Sequence, residues 1–349
     1  MNTIKQRVKE GIASAKNSGK RLARFFREED LLKTMIHSFR VNLTKSEKWL
    51  AYLFLASALV IPILTGVVNA WGKNYDTIQS WMWDSLLPGC IFCLFLCLKL
   101  RERFNYVGSL VTLLFATMML AIALAGGATA ILSTPFGDND LSQTLYRFDL
   151  ALGFDQASLM NWRAHLQGFT RWLEFSYSSI TQQVALTALI LTAFRCVKSA
   201  RLYLLTIIVG SLVAYVIYYF WPTFAPNVVI HNAVFPKTAA QLLERTRGIR
   251  EHIPYKLYPG AGLIAFPSCH VIMALAGIFC WIAAIKETQK KGIRFLFIGV
   301  SILVIIVNVS LITATVLLGY HYLADVIASV ILFLMAWFFL YPMVKKEKG

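Results

Sequence analysis

Followed by its apolar and polar positions, the chain alternates long greasy runs with short charged connectors from about residue 49 onward. Eight runs have about the 20 residues that a hydrocarbon layer of about 30 Å demands of a helix: 49–70, 82–100, 106–132, 173–194, 202–221, 262–285, 293–317 and 321–343. The second carries Asp84 and the fourth the polar string SYSSITQQ, so these two are the least uniform. Two intervening stretches have another pattern. Residues 133–172 mix acids, aromatics and a helical period, which predicts amphipathic helices lying on the outer membrane face. Residues 222–261 are rich in proline and carry Lys237, Arg245, Arg247, Arg250 and Lys256, which predicts a second outer loop. Ahead of the first run, Ile4, Val8, Ile12, Ala15, Leu22 and Phe26 recur at helical intervals among cations. That arm fits an interfacial helix on an anionic leaflet, and equally a solvated charge run that sets topology.

The pattern predicts an all-α, polytopic membrane bundle of about eight transmembrane helices, and composition agrees. With 57% hydrophobic and 15% charged residues, the chain has more apolar surface than one soluble core could hide. The first long run begins near Trp49 with no small-residue cleavage site behind it, so no cleavable leader is expected.

A formal net charge of +16 would suit a nucleic-acid partner, but its distribution argues for none. Counted on alternate sides of the expected spans, 25 of the 34 Lys and Arg residues fall on the side of the arm. By the positive-inside tendency that side is cytoplasmic, and an even number of spans returns the C-terminus to it. The expected setting is a bacterial inner membrane. Cys90, Cys93, Cys97, Cys196, Cys269 and Cys280 lie within or beside apolar runs without metal-type spacing, so they read as packing residues. No signal of oligomeric state is present.

Chemistry enters at two lips. The first third of the run 262–285 carries Pro267, Ser268, Cys269 and His270, a proline, a hydroxyl, a thiol and an imidazole that a purely structural span has no use for. The last run opens GYHYLAD, placing His321 and Asp325 four residues apart, on one face if both are helical. An intramembrane aspartate is costly unless paired, and the His321 imidazole is its natural partner. Such a pair could simply pin two helices together. Alternation of the spans, however, brings YYFWPTFAPN, AFPSCH and GYHYLAD to a single membrane face. Ser268 and the first-turn backbone N–H groups of a helix would offer donors to an anion, with Pro267 as a rigid lead-in. Two histidines in different surroundings, one backed by a carboxylate, suit a nucleophile and a general acid. The set is equipped for phosphoryl transfer through a phosphohistidine, without a cofactor. A zinc site of Cys269, His270, His321 and Asp325 is the competing reading.

At these residues the chain resembles the type-2 phosphatidic acid phosphatase superfamily. FPSCH and GYHYLAD are similar to its second and third motifs, most closely to those of the aureobasidin-resistance, inositolphosphotransferase-like branch. PTFAP at 222–226 resembles that branch's first motif, and DLALGFD at 149–155 its pre-core segment. The resemblance covers roughly residues 135–340 and implies a six-helix catalytic core. The chain then divides into a basic arm (1–48), N-terminal spans (49–132) and a phosphatase-type membrane domain (133–344).

The resemblance further implies that His321 attacks phosphorus and that Asp325 orients it. His270 would protonate the leaving alcohol and then deprotonate the acceptor, while Ser268 holds phosphoryl oxygens. The substrate implied is a lipid phosphoester in the bilayer, and no metal is implied. Where the phosphatases carry Lys and Arg, this chain has Ala214, Trp221 and Thr315, and the branch's PPR has become APN at 225–227. Those departures favour transfer between lipid and alcohol over plain hydrolysis. Arg245, Arg247, Arg250 and Lys256 are the candidates to replace the missing charge. A transporter or flippase binding a phospholipid headgroup, and an inactive scaffold of the same fold, are the alternatives. Against the transporter, no inverted repeat is visible. Against the scaffold, His270, His321 and Asp325 are all present. His165, His231 and His252 read as loop or amphipathic-segment residues. Tyr320 and Tyr322 read as interface anchors.

Overall fold

A computed structural model describes residues 140–237, 239 and 265–346. The basic arm, the spans expected at 49–70, 82–100 and 106–132, and Arg245, Arg247, Arg250, His252 and Lys256 lie outside the described residues. Among the described residues the chain is helical, without strands. Three short amphipathic helices come first: α1 (Ser142–Ala151), α2 (Gln156–Ala164) and α3 (Gln167–Ser178). Five apolar helices follow: α4 (Ile180–Ala193), α5 (Val197–Phe220), α6 (Cys269–Glu287), α7 (Lys291–Leu317) and α8 (Leu323–Lys345). A single 3-10 turn, Pro226–Val228, lies after α5.

Helices α5 to α8 are each long and apolar enough to cross a membrane. They correspond to four of the expected runs, with ends shifted by up to seven residues, the largest shift being the start of α6 at Cys269 rather than 262. The run 173–194 differs, because it is split between α3 and α4. Ser178 and Ser179 donate their hydroxyls to the carbonyls of Phe175 and Ser176, and Gln183 Nε2 donates to Ser179 Oγ. Local side-chain bonds of this kind compete with the helical ladder. Ser179 keeps helical dihedrals (φ −71°, ψ −12°), so α4 follows α3 directly. At 14 residues α4 is about 21 Å long at 1.5 Å per residue, short of a full crossing.

The core lies between α5, α6 and α8, with α7 packed against α6 and α3. Tyr203, Trp281, Phe297, Phe333 and Trp337 fill it with α4's Leu191 and Ala188. Trp281 meets Phe297 edge-to-face at 5.2 Å between centroids, and Phe279 meets Phe333 at 5.0 Å. These rings set the spacing of α6 against α7 and α8. Outward, Phe295, Ile302, Leu303 and Ile306 of α7 and Met335, Phe338 and Phe339 of α8 are exposed. An apolar face of that kind is what a helix turns toward lipid.

Candidate active site

The site begins with the N-terminus of α6. Ser268 is its N-cap, in extended backbone conformation, with its hydroxyl facing the N–H of Val271 at 3.4 Å. Pro267 therefore stands one residue before the cap, outside the first turn. The backbone N–H of Ser268 is taken by Ser329 Oγ of α8 at 2.7 Å, and Phe266 N–H is taken by Thr223 Oγ1 at 3.0 Å. Thr223 belongs to the PTFAP stretch, whose Phe224 N–H is in turn held by Ser142 Oγ of α1. The three polar motifs expected at one face thus meet through direct hydrogen bonds. The N–H groups of Cys269 and His270 have no acceptor among the described residues, as expected for the open first turn of a helix.

The second component is the turn between α7 and α8. Gly319 N–H donates to Val316 C=O, and Tyr320 N–H to Thr315 C=O, with Gly319 at φ +75°. This is a Schellman ending, which needs a left-handed residue after the cap. A Cβ at Gly319 would also come within 2.5 Å of Met160 Cε and of Phe235 Cε1. The N–H of His321 shares the Thr315 carbonyl at 2.9 Å. From α2, Gln156 Nε2 donates to both Val316 C=O (2.8 Å) and His321 C=O (2.9 Å). The His321 backbone is held on two sides before its ring is considered.

That ring is 3% exposed, with both nitrogens engaged. Nδ1 lies 2.7 Å from Ala265 C=O and 3.3 Å from Asp325 Oδ2, while Nε2 lies 3.0 Å from Ser268 Oγ. A carbonyl can only accept, so the proton of the neutral ring sits on Nδ1. Nε2 then presents its lone pair toward Ser268. Burial lowers the His321 pKa to about 4, opposed by the Ala265 bond. The imidazole is neutral at ordinary pH.

Here the structure corrects the expected His–Asp geometry. His321 precedes α8 rather than lying on it, since Tyr322 is the N-cap and Asp325 the third helical residue. Asp325 Oδ2 accepts the Tyr322 N–H at 2.9 Å, and its contact with Nδ1 is the longer arm of a shared bond whose shorter arm goes to Ala265. Asp325 is fully buried, and its Oδ1 has no partner among the described residues. The other two N–H groups of this helix start, Leu323 and Ala324, donate to Asp149 of α1 at 2.8 and 2.9 Å. Desolvation raises the Asp149 pKa, and those two N–H bonds counter it. Two buried carboxylates therefore terminate α8, where the positive end of the helix dipole favours negative charge.

His270, on the first turn of α6, has its ring centroid 6.3 Å from that of His321, with the planes at 55°. It stacks on Tyr177 of α3 (4.4 Å, 13°), which stacks in turn on Tyr320 (4.4 Å, 17°). The structure thus brings His270, His321, Asp325 and Ser268 together. Asp149, Gln156, Tyr177 and Ser329 join them unannounced. Asp149 stands in the DLALGFD stretch, where a buried acid in a short amphipathic helix is the signal that points to it. The remaining three carry no comparable mark.

The departures from the charged motif are accommodated by packing. Ala214 is fully buried with Ile272 and Leu332, and Thr315 turns its hydroxyl back to Ile312 C=O. Trp221, half-exposed, ends α5, and Asn227 Nδ2 donates to Ala239 C=O. Arg163 of α2 is buried and donates to Val234 C=O. Among the described residues no three His, Cys, Asp or Glu side chains are grouped as a metal would require. Cys269 packs beside Ala214 and Ile272. His165 and His231 are exposed and apart from these groups. Tyr322 is no interface anchor: it is fully buried among Leu145, Ala324 and Phe266.

Compared with known proteins, residues 143–339 match a family model described as the PAP2 superfamily. That segment contains every group described above from Leu145 to Phe333. Neither a curated protein nor a solved structure matches the chain.

Proposed function

The chain belongs to the PAP2 superfamily, over more than half its length, and on that premise we propose that it is a membrane enzyme transferring a phosphoryl or phospho-headgroup unit from a lipid phosphoester through phosphohistidine at His321. The observation that carries this reading is the state of the His321 ring. Its Nδ1 proton is fixed by Ala265 C=O, and its Nε2 lone pair points into the space shared with Ser268 and His270. A nucleophile needs that pair, which an entering phosphoryl group would release by drawing the Ser268 hydroxyl to its own oxygens.

The chemistry follows in two balanced steps. Nε2 of His321 attacks phosphorus as the P–O bond to the leaving alcohol breaks, and protonated His270 gives its proton to the departing oxygen. The phosphorylated ring is cationic, and Asp325 offsets that charge across Nδ1. In the second step neutral His270 takes a proton from water or an acceptor alcohol, whose oxygen attacks phosphorus and restores His321. Ser268 Oγ–H and the open N–H groups of Cys269 and His270 stabilise the phosphoryl oxygens. Ala214 and Thr315, at positions cationic in the phosphatases, favour an alcohol acceptor and a less charged phosphodiester donor. Arg245, Arg247, Arg250 and Lys256 remain proposed contributors of positive charge. The 25-to-9 division of Lys and Arg supports placing the site on the extracytoplasmic face.

The test is to incubate purified full-length protein with phosphatidate or phosphatidylinositol labelled at phosphorus, quench rapidly, and assay for an acid-labile, alkali-stable phosphoprotein. Label should appear in the wild type and be absent from His321→Ala. A phosphoenzyme persisting in His321→Ala would overturn the assignment.

A further inference from the structure

The two imidazoles of the site are held by different means. His321 has a hydrogen bond at each ring nitrogen and two more at its backbone. The ring of His270 has no hydrogen-bond partner among the described residues, and it is only half-buried. A proton donor must nevertheless meet the leaving oxygen at a fixed distance and angle, because proton transfer falls off steeply with misalignment. Some other contact has to fix this ring.

The contact available is the face of Tyr177. The rings of His270 and Tyr177 lie 4.4 Å apart and within 13° of parallel, and Tyr320 covers the opposite face of Tyr177 at 4.4 Å and 17°. Tyr177 is itself anchored, since Tyr177 and Tyr320 pack against the buried cluster of Leu173, Ala314, Leu317 and Leu318. Tyr320 is covalently next to His321. The stack therefore references the His270 plane to the segment that carries the other imidazole. An electron-rich face also attracts an imidazolium, the form that donates the proton.

We infer that Tyr177 is a positioning residue that aligns His270 for proton transfer to and from the substrate oxygens. The inference rests on the reading of His270 as general acid. It concerns the ring face of Tyr177, not its hydroxyl, and for the first step, formation of the phosphoenzyme, it predicts a loss confined to leaving groups that need a proton.

The experiment compares two substrates on full-length protein in detergent micelles. Short-chain phosphatidate releases an alcohol and needs the acid, whereas para-nitrophenyl phosphate releases a phenolate that does not. Tyr177→Leu should lower the single-turnover rate of phosphoenzyme formation from phosphatidate by about tenfold or more, a part of the roughly 10²–10⁴ that a positioned acid supplies; this rate excludes the second step, in which His270 serves as base for either substrate. On the aryl ester the same variant should stay within about twofold of the wild type, the baseline for a site whose acid is not needed. Tyr177→Phe, which keeps the face, should match the wild type on both. If Tyr177→Leu does not accumulate in the membrane, Tyr177→Met fills similar volume without a ring face and is read in the same way.

Equal losses on the two substrates would mean that Tyr177 only supports the fold, and no loss on phosphatidate would mean that the stack is incidental. Either result overturns the inference. His270→Ala, run in parallel, separates the two layers of the argument. If it shows the leaving-group bias and Tyr177→Leu does not, the positioning role alone fails. If His270→Ala shows no bias, the acid assignment fails and the inference goes with it.

Discussion

Two helix starts at opposite ends of the bundle are each capped by carboxylate, and they differ in company. At the start of α5, Glu287 accepts the N–H groups of Lys198 and Ser199 and the Ser199 hydroxyl, at 2.7 to 3.1 Å. It is half-buried, Lys198 itself supplies one of those N–H groups, and Lys286 and Lys290 lie close to it in the chain. At the start of α8, Asp149 and Asp325 do the same work fully buried, and no described cation is paired with either. In the first arrangement both carboxylate oxygens accept hydrogen bonds. The second leaves Asp325 Oδ1 without a partner and points its other oxygen at an imidazole. A buried acid with an oxygen that the cap does not use is a candidate functional group, which fits the proposed site.

That contrast can be broken most sharply at Asp325. Asp325→Asn keeps the size of the group but removes the charge that, in the proposed mechanism, balances a cationic phosphohistidine. It should slow phosphoenzyme formation by about 10²- to 10⁴-fold, by analogy with the orienting aspartate of hydrolase triads. Single-turnover measurement of the labelled protein checks this, and a rate within threefold of wild type would reduce Asp325 to a cap like Glu287.

Acid sharpens the comparison next. Burial lowers the His321 pKa from 6.5 to about 4, so the unfolded chain takes up a proton in that window that the native chain refuses. The stabilisation present above pH 6.5 is then lost as pH falls toward about 4, on the order of 3 kcal/mol. Asp149 acts with the opposite sign. Its raised pKa lets the native state bind a proton that the unfolded chain, at 3.8, does not, which offsets part of the loss. The thermal midpoint of the wild type should therefore drop more between pH 6.5 and 4 than that of His321→Gln. Parallel curves would show that the imidazole is not held neutral by its surroundings.

The smallest effect belongs to the other end. Glu287→Gln retains an acceptor for the α5 start and should cost about 1 kcal/mol of stability, the scale of one net hydrogen bond. Turnover should be unchanged. A loss of turnover without a loss of stability would mean that the two ends communicate.

How much of this was legible in the sequence differs by the range of the interaction. Apolar runs marked α5 to α8 to within seven residues at their ends, because twenty greasy positions in a row have few alternatives. Ser268 at a helix start and His321 beside Asp325 were legible because short spacings translate into geometry. The tighter partner of His321 was not. Ala265 acts through a backbone carbonyl, which every residue has, so no side chain announces it. Gln156 and Tyr177 reach the site across more than ninety residues of sequence by packing of α2 and α3, and glutamine or tyrosine in an amphipathic helix is unremarkable. The split of the run 173–194 was visible only as the polar string SYSSITQQ. Its cause, serine hydroxyls bonding back to carbonyls, depends on rotamers that spacing does not encode.

The Schellman turn at Gly319 has a consequence for how this segment can vary. Thr315 C=O accepts from both Tyr320 and His321, and Gln156 grips the carbonyls of Val316 and His321. The interval from Thr315 to His321 is in effect a ruler clamped at both ends, with a glycine at the only notch where a side chain has no room. One residue more or fewer would move the imidazole off Ala265 and Ser268 together, with no neighbouring register to fall into. Under the proposed function, variation in what the protein accepts would have to come from other segments of the chain, because the stretch that carries the proposed nucleophile has a fixed length.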